Sequence, residues 1–337
     1  MKTSSIKYAF GALTVLAVSL SVNAQTLTPP TDAPYLTSDG AIAVIGNDGM
    51  GDLMNTLNAL FTEQHPGFKF ALTAKGSSVG IPALTADATA IAPLSREAWL
   101  GDVHGFEQVK GYAPLDIRIG YSGFGPRPPH KTPPAAYVNA ANPLPGLTLQ
   151  DLARIVTTGQ PEGDLNTWGQ LGVGARSARR IHVYGLRDDG GFATNLRMDK
   201  LGGKPFSAKY EALNSREEVI EAVANDPYGI GLTGWVDASR TARNVRVLPL
   251  ASKAGEPFRS PDYKTVAAGA YPLSAFLHLY IDNPPGRKLP PFLKEYLRLA
   301  LSDEGQKTLR EQRDSAQGYV PLSATDLQAE RRKVEGL

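Results

Sequence analysis

Three times along this chain a short apolar run ends in small or polar residues and passes straight into an amphipathic stretch. Ile42-Ala43-Val44-Ile45 runs into Gly46-Asn47-Asp48-Gly49, and Phe68–Ala74 into Gly76-Ser77-Ser78-Val79-Gly80. Ile181–Leu186 runs into Arg187-Asp188-Asp189-Gly190-Gly191, and a shorter junction, Ala90–Ala92, ends at Ser95-Arg96. Strand, loop, helix, strand is the rhythm of an α/β fold with mixed, mostly parallel sheets. Helix starts expose unpaired N–H groups and partial positive charge, so converging junctions make an anion site at the carboxyl ends of the strands.

The first helix follows Asp48, with Asp52 as its expected cap. Leu53, Leu57, Leu60 and Phe61 fall on one face, and His65-Pro66-Gly67 ends it. Gly125–Pro134 reads as an exposed Pro-rich loop. Thr148 with Asp151 and Ser215 with Glu218 mark two further helix starts. Pro291–Gln312 reads as one last long helix, after which Gly318–Leu322 closes the fold.

The compartment follows from the N-terminus. Lys2 and Lys7 precede the apolar run Tyr8–Val22, and Val22-Asn23-Ala24 has the small-residue pattern of a cleaved export signal. The expectation is export with cleavage near Ala24–Gln25, to the periplasm or the medium. No cysteine occurs, so neither a disulfide framework nor cysteine metal sites are available. The five histidines lack metal-ligand spacing, and no metal or cofactor is expected. Lysines and arginines number 35 against 33 acids, and loss of Lys2 and Lys7 with the signal leaves no net charge. A neutral mature chain has no field to gather nucleic acid.

Gly76-Ser77-Ser78-Val79-Gly80 is also a G-x-S-x-G string, which presents a nucleophilic serine in serine hydrolases. Ser78 would then need a later carboxylate and histidine, and His182 and His278 are available. The junction comes after only the second strand, and no HGGG-like segment precedes it. The favoured reading is that Ser77 and Ser78 hold an anion rather than attack a substrate.

The order of motifs resembles the PstS-like family, the phosphate-binding periplasmic proteins of ABC transporters. KGSSVGIPAL, AIAPLSR, NPLPGLTLQDLARIVTTG with NTWGQLG, EVIEAVANDPYGIGLTGW, YPLSAFLHLYI and LSDEGQKTLREQ with GYVPL carry the resemblance across nearly the whole mature chain. It implies the two-lobed periplasmic-binding-protein fold, with a ligand cleft between lobes that close by a hinge. One lobe would hold 35–138 and 246–325, the other 139–245. It further implies a monomer that binds phosphate or a similar oxyanion and delivers it to an inner-membrane ABC permease. A diverged binder of another ligand, or one serving sensing or adhesion, is the alternative.

Carried over by resemblance, the ligand set is Asp48, Gly49, Met50, Ser77, Ser78, Ser95, Arg96, Arg187, Gly191 and Thr194. Three hydroxyl donors of the family pattern are absent, since Gly49 stands at a threonine position and Gly191 and Ala193 at serine and threonine positions. At about 1.5–3 kcal/mol per bond to a charged group, that is about 4–9 kcal/mol. Asn47 and Thr194 are the neighbours placed to compensate. Phe192 stands where the family has glycine, either as part of the site or as a packed core ring. Asp48, Asp188 and Asp189 are either cap and turn residues or carboxylates that select a protonated anion.

Overall fold

The computed structural model describes residues 27–237 and 244–337; the export segment at residues 1–24 and its cleavage point lie outside the described residues. From the N-terminus come β1 (Ile42–Gly46), α1 (Gly51–Gln64), β2 (Phe70–Ala74), α2 (Ser77–Thr85), β3 (Ala92–Leu94), α3 (Leu100–Lys110) and β4 (Leu115–Tyr121). The Pro-rich loop leads to β5 (Ala135–Asn139), β6 (Leu147–Thr148), α4 (Leu149–Val156), β7 (His182–Leu186) and α5 (Phe192–Lys200). Next are β8 (Tyr210–Leu213), α6 (Arg216–Asn225), β9 (Gly229–Thr233), β10 (Val245–Val247) and β11 (Leu250–Ala251). The chain closes with α7 (Tyr263–Ala267), β12 (Phe276–Ile281), α8 (Pro291–Ala300), α9 (Asp303–Glu311), β13 (Val320–Pro321) and α10 (Ala324–Glu335).

The result is a two-lobed α/β fold. One lobe carries the sheet β13-β4-β12-β3 with the parallel pair β1-β2 beside it, joined by a parallel bridge between Val44 and Ile91. The other carries the sheet β10-β5-β9-β7-β8, in which β9, β7 and β8 run parallel while β5 and β10 are antiparallel. Parallel pairing joins β1 with β2, β6 with β11, and β7 with β8 and β9, whereas β3, β4, β12, β13, β5 and β10 pair antiparallel. β5 and β9 are buried at every residue, because both faces of their sheet are covered.

The two expected capping residues are in place. Thr148 Oγ1 accepts from Asp151 N at 3.0 Å and Ser215 Oγ from Glu218 N at 3.1 Å. Three expectations need correction. Asp52 does not cap α1: a 3₁₀ turn at Asp48–Met50 already closes the helix start, with Met50 N donating to Asn47 O at 3.3 Å. The segment 291–312 is two helices, because Ser302 turns out to start a helix, its hydroxyl accepting from Gly305 N at 3.0 Å. Nor does 318–322 close the fold, since α10 follows and packs Glu330 and Val334 inward, Glu330 paired with Arg118 at 2.6 Å.

Candidate functional site

Gly46 is the point where three strand ends meet. Its carbonyl accepts from Lys75 N and Gly76 N at 2.9 and 3.0 Å, and the next residue, Asn47, donates its N–H to Pro93 O at 2.8 Å. A Cβ on Gly46 would lie 2.1 Å from Pro93 O, so only glycine lets β1 and β3 approach this closely. These contacts bring Asp48 and Gly49 after β1, Ser77 and Ser78 after β2, and Ser95 and Arg96 after β3 to the rim of one cleft of about 440 Å³.

Ser77 is the best-defined donor there. Its Oγ accepts from Asn47 Nδ2 at 2.9 Å and from Ser95 N at 3.3 Å. A hydroxyl has two acceptor lone pairs and one donor proton, so with both pairs engaged the O–H remains to give to an incoming acceptor. Ser77 also begins α2, so the open N–H groups of that helix add positive potential. Arg96 is held, and 7 % exposed. Its guanidinium stacks 3.7 Å from the centre of the Trp99 ring and donates to Glu97 O at 2.8 Å and, more weakly, to Asp102. Burial pulls its pKa below the usual arginine value against the upward pull of Asp102; an arginine stays charged regardless.

The opposite wall comes from the other lobe, and the resemblance did not supply it. Lys131 of the Pro-rich loop, Arg216 and Glu217 at the start of α6, and Trp235 after β9 all line the same cleft. Arg216 follows the carboxyl end of β8, and Trp235 that of β9, so the rule of strand ends holds on both sides. Burial lowers the pKa of Arg216, and its Nε is buried with no partner among the described residues. Asn47 Oδ1 and Trp235 Nε1 share that condition. Unpaired buried polar atoms cost about 1–3 kcal/mol each, which makes their convergence on one cleft informative. Trp235 also has φ +54°, a left-handed backbone unusual for a bulky residue and worth on the order of 1–3 kcal/mol of strain.

Four of the expected site residues do not line this cleft. Met50 is fully buried in the core, because the 3₁₀ turn rotates its side chain inward. Arg187 is exposed and makes no hydrogen bond or ion pair among the described residues. Gly191 does not line the cleft; a Cβ there would be 3.2 Å from Asp189 Oδ1 and 3.7 Å from the Trp99 ring. Thr194 cannot compensate as expected: its hydroxyl donates to Asp188 Oδ1 at 2.6 Å and accepts from Gly190 N at 2.8 Å. Gly49 leaves less room than its size implies, since a Cβ would sit 2.9 Å from Gln317 Cδ and 3.0 Å from Tyr319 Oη. That hydroxyl is buried without a hydrogen-bond partner among the described residues, its pKa pushed up by burial and by the charge of Asp48.

The nucleophile reading of Ser78 calls for a histidine beside it, and His182 and His278 lie elsewhere. Among the described residues, no histidine lines the cleft. His182 Nδ1 is 2.6 Å from Asp226 Oδ2, and buried His278 has its Nδ1 2.7 Å from Asp116 Oδ1.

Two α/β lobes, each offering helix starts and cations to a shared cleft, define a binding module for a small anion. Residues 33–304 match the PBP superfamily domain, and the chain belongs to that family. It is 27 % identical over 327 residues to the phosphate-binding protein PstS of Pseudomonas aeruginosa (strain PAO1), covering 95 % of this chain and 96 % of that one. PstS of Bacillus subtilis (strain 168) is 23 % identical over 295 residues, 87 % of this chain and 84 % of the relative. Among solved structures, an ABC-type phosphate transport receptor from Vibrio cholerae superposes with TM-score 0.50 at 20 % identity, covering 83 % of this chain and 99 % of that one. PstS from Borrelia burgdorferi gives TM-score 0.50 at 17 % identity, with 84 % and 99 % covered.

Proposed function

We propose that this chain is an exported, non-enzymatic solute-binding protein that takes phosphate or a related oxyanion into the interlobe cleft and passes it to an inner-membrane ABC permease. The observation that carries this is Ser77, whose Oγ accepts two hydrogen bonds and so keeps its O–H for a ligand, in a cleft also lined by Arg96, Lys131 and Arg216. The relatives named for phosphate binding support the same reading. The sheet pairing of β5 and β10 moves the lobe divide from 138/139 and 245/246 to the crossovers before β5 and after β10, and the mature protein works as a monomer in the periplasm after cleavage near Ala24. The grip is assigned to Ser77, Ser95, Arg96, Lys131 and Arg216, with Asp48, Gly49 and Ser78 at the rim.

Calorimetric titration of ligand-stripped protein with phosphate, sulfate and arsenate tests the proposal. Phosphate should bind one to one, and absence of heat with all three anions would remove it. Ser77→Ala should weaken phosphate about tenfold, near the lower bound of a charged hydrogen bond, because the backbone amides survive. An unchanged affinity would exclude the serine as a donor.

Asp48 and Glu217 set the choice of anion. A carboxylate repels an oxyanion unless that anion brings a proton to donate, which hydrogen phosphate does and sulfate does not. Asp48→Asn should therefore improve sulfate relative to phosphate by at least tenfold in the same titration. A ratio that stays put would make Asp48 a turn residue only.

A further inference from the structure

Beside the anion cleft lies a second, small cavity of about 40 Å³, walled by Trp99, Phe192 and Trp235 with Leu196, Leu273 and Ala275 around them. Arg96, Trp99 and Trp235 line both spaces, so the two adjoin. Phe192 meets Trp235 edge to face at 5.6 Å, which fixes one wall. At roughly 10–15 Å³ per water on this measure, the cavity has room for about three non-hydrogen atoms. A bare inorganic anion in the cleft leaves that room to water, between three aromatic faces.

Two features show that the cavity is more than a packing gap. Ser274 is 7 % exposed and its Oγ is buried without a partner among the described residues, as is Asn195 Oδ1; both residues line the cavity. Glu97 and Asp199, one from each lobe, line it as well, set against Arg96 and Lys200, so its charged groups balance and the uncharged walls decide what fits. The occupant that its size and its aromatic and aliphatic walls fit is therefore compact and mostly apolar.

We infer that the cleft takes a substituted oxyanion, a phosphonate or phosphate ester, whose charged head lies by Ser77, Arg96 and Arg216 and whose uncharged two- or three-carbon group fills the space between Trp99, Phe192 and Trp235. The inference rests on the oxyanion reading of the cleft and names its ligand class. It also gives Phe192 a role: the ring that replaces the family's glycine becomes the wall that sets substituent size.

The test is calorimetric titration of ligand-stripped protein with inorganic phosphate, ethylphosphonate and phenylphosphonate. Ethylphosphonate should bind at least tenfold more tightly than phosphate, and phenylphosphonate, too large for the cavity, more weakly than ethylphosphonate. Ala275→Leu fills the cavity and should abolish the preference for the ethyl compound. Phe192→Ala enlarges it and should shift the preference toward the phenyl compound, which decides the matter if Ala275→Leu does not fold. Phosphate binding as tightly as ethylphosphonate, or an ethyl preference that survives Ala275→Leu in folded protein, overturns the inference while leaving the oxyanion site standing. Failure of all three probes to bind overturns the oxyanion reading itself.

Discussion

Replacing Arg216 by alanine is expected to cost about a hundredfold or more in phosphate affinity, whereas Arg187→Ala should change it by less than about threefold. The first figure is two charge-assisted hydrogen bonds at their lower bound, about 3 kcal/mol together, converted at 1.4 kcal/mol per tenfold. Arg216 has the means to supply them: it is partly buried, its Nε has no hydrogen-bond partner among the described residues, and it starts α6 and lines the same cleft as Ser77. Arg187 is exposed and lines no part of that cleft. Affinities measured by titration at one fixed ionic strength decide between them. A large loss in Arg187→Ala with little in Arg216→Ala would return the grip to the residue that the family pattern designates.

Gly46→Ala should damage both stability and binding. The added methyl carbon would lie 2.1 Å from Pro93 O and 2.9 Å from Pro93 Cδ, and the first of these is backbone that cannot swing aside. Overpacking of this kind costs about 1–3 kcal/mol, sometimes more. The shift also separates the loops after β1, β2 and β3, because Gly46 O holds Lys75 N and Gly76 N while Asn47 N holds Pro93 O. Melting temperature should fall by several degrees and phosphate affinity by at least tenfold. A variant that melts and binds like the parent would mean the three loops are not tied at this point.

Much of this was readable along the chain, and the boundary between readable and hidden is physical. The loops after β1, β2 and β3 announce themselves because each is a local event: glycine lets the chain turn, and a hydroxyl or acid opens the next helix. Ser77 and Arg96 were found this way. Arg216 carries the same kind of signal, a strand followed by Ser215 and a helix, yet the segment reads as an ordinary capping box. What makes it a site residue is that β8 stands beside β7 and β7 beside β9, and strand order across a sheet leaves no local mark. Trp235 is hidden for the same reason, compounded by a left-handed backbone that no residue-type pattern indicates. Met50 misled because a turn of three residues decides whether the side chain faces ligand or core. The hydroxyl sought at position 49 has a counterpart that arrives from far along the chain, at Tyr319. The break at Leu301–Ser302 was legible, since Ser302 with Gly305 is a helix start, but the apolar spacing of the two helices continues across it.

The most direct test is a crystal structure of the mature protein soaked with phosphate. The account predicts tetrahedral density within hydrogen-bond distance of Ser77 Oγ and of the guanidinium of Arg216, at the carboxyl ends of β1, β2 and β8. Phosphate found instead on Arg187 and the amides before α5, with the cleft between Ser77 and Arg216 empty, would contradict it.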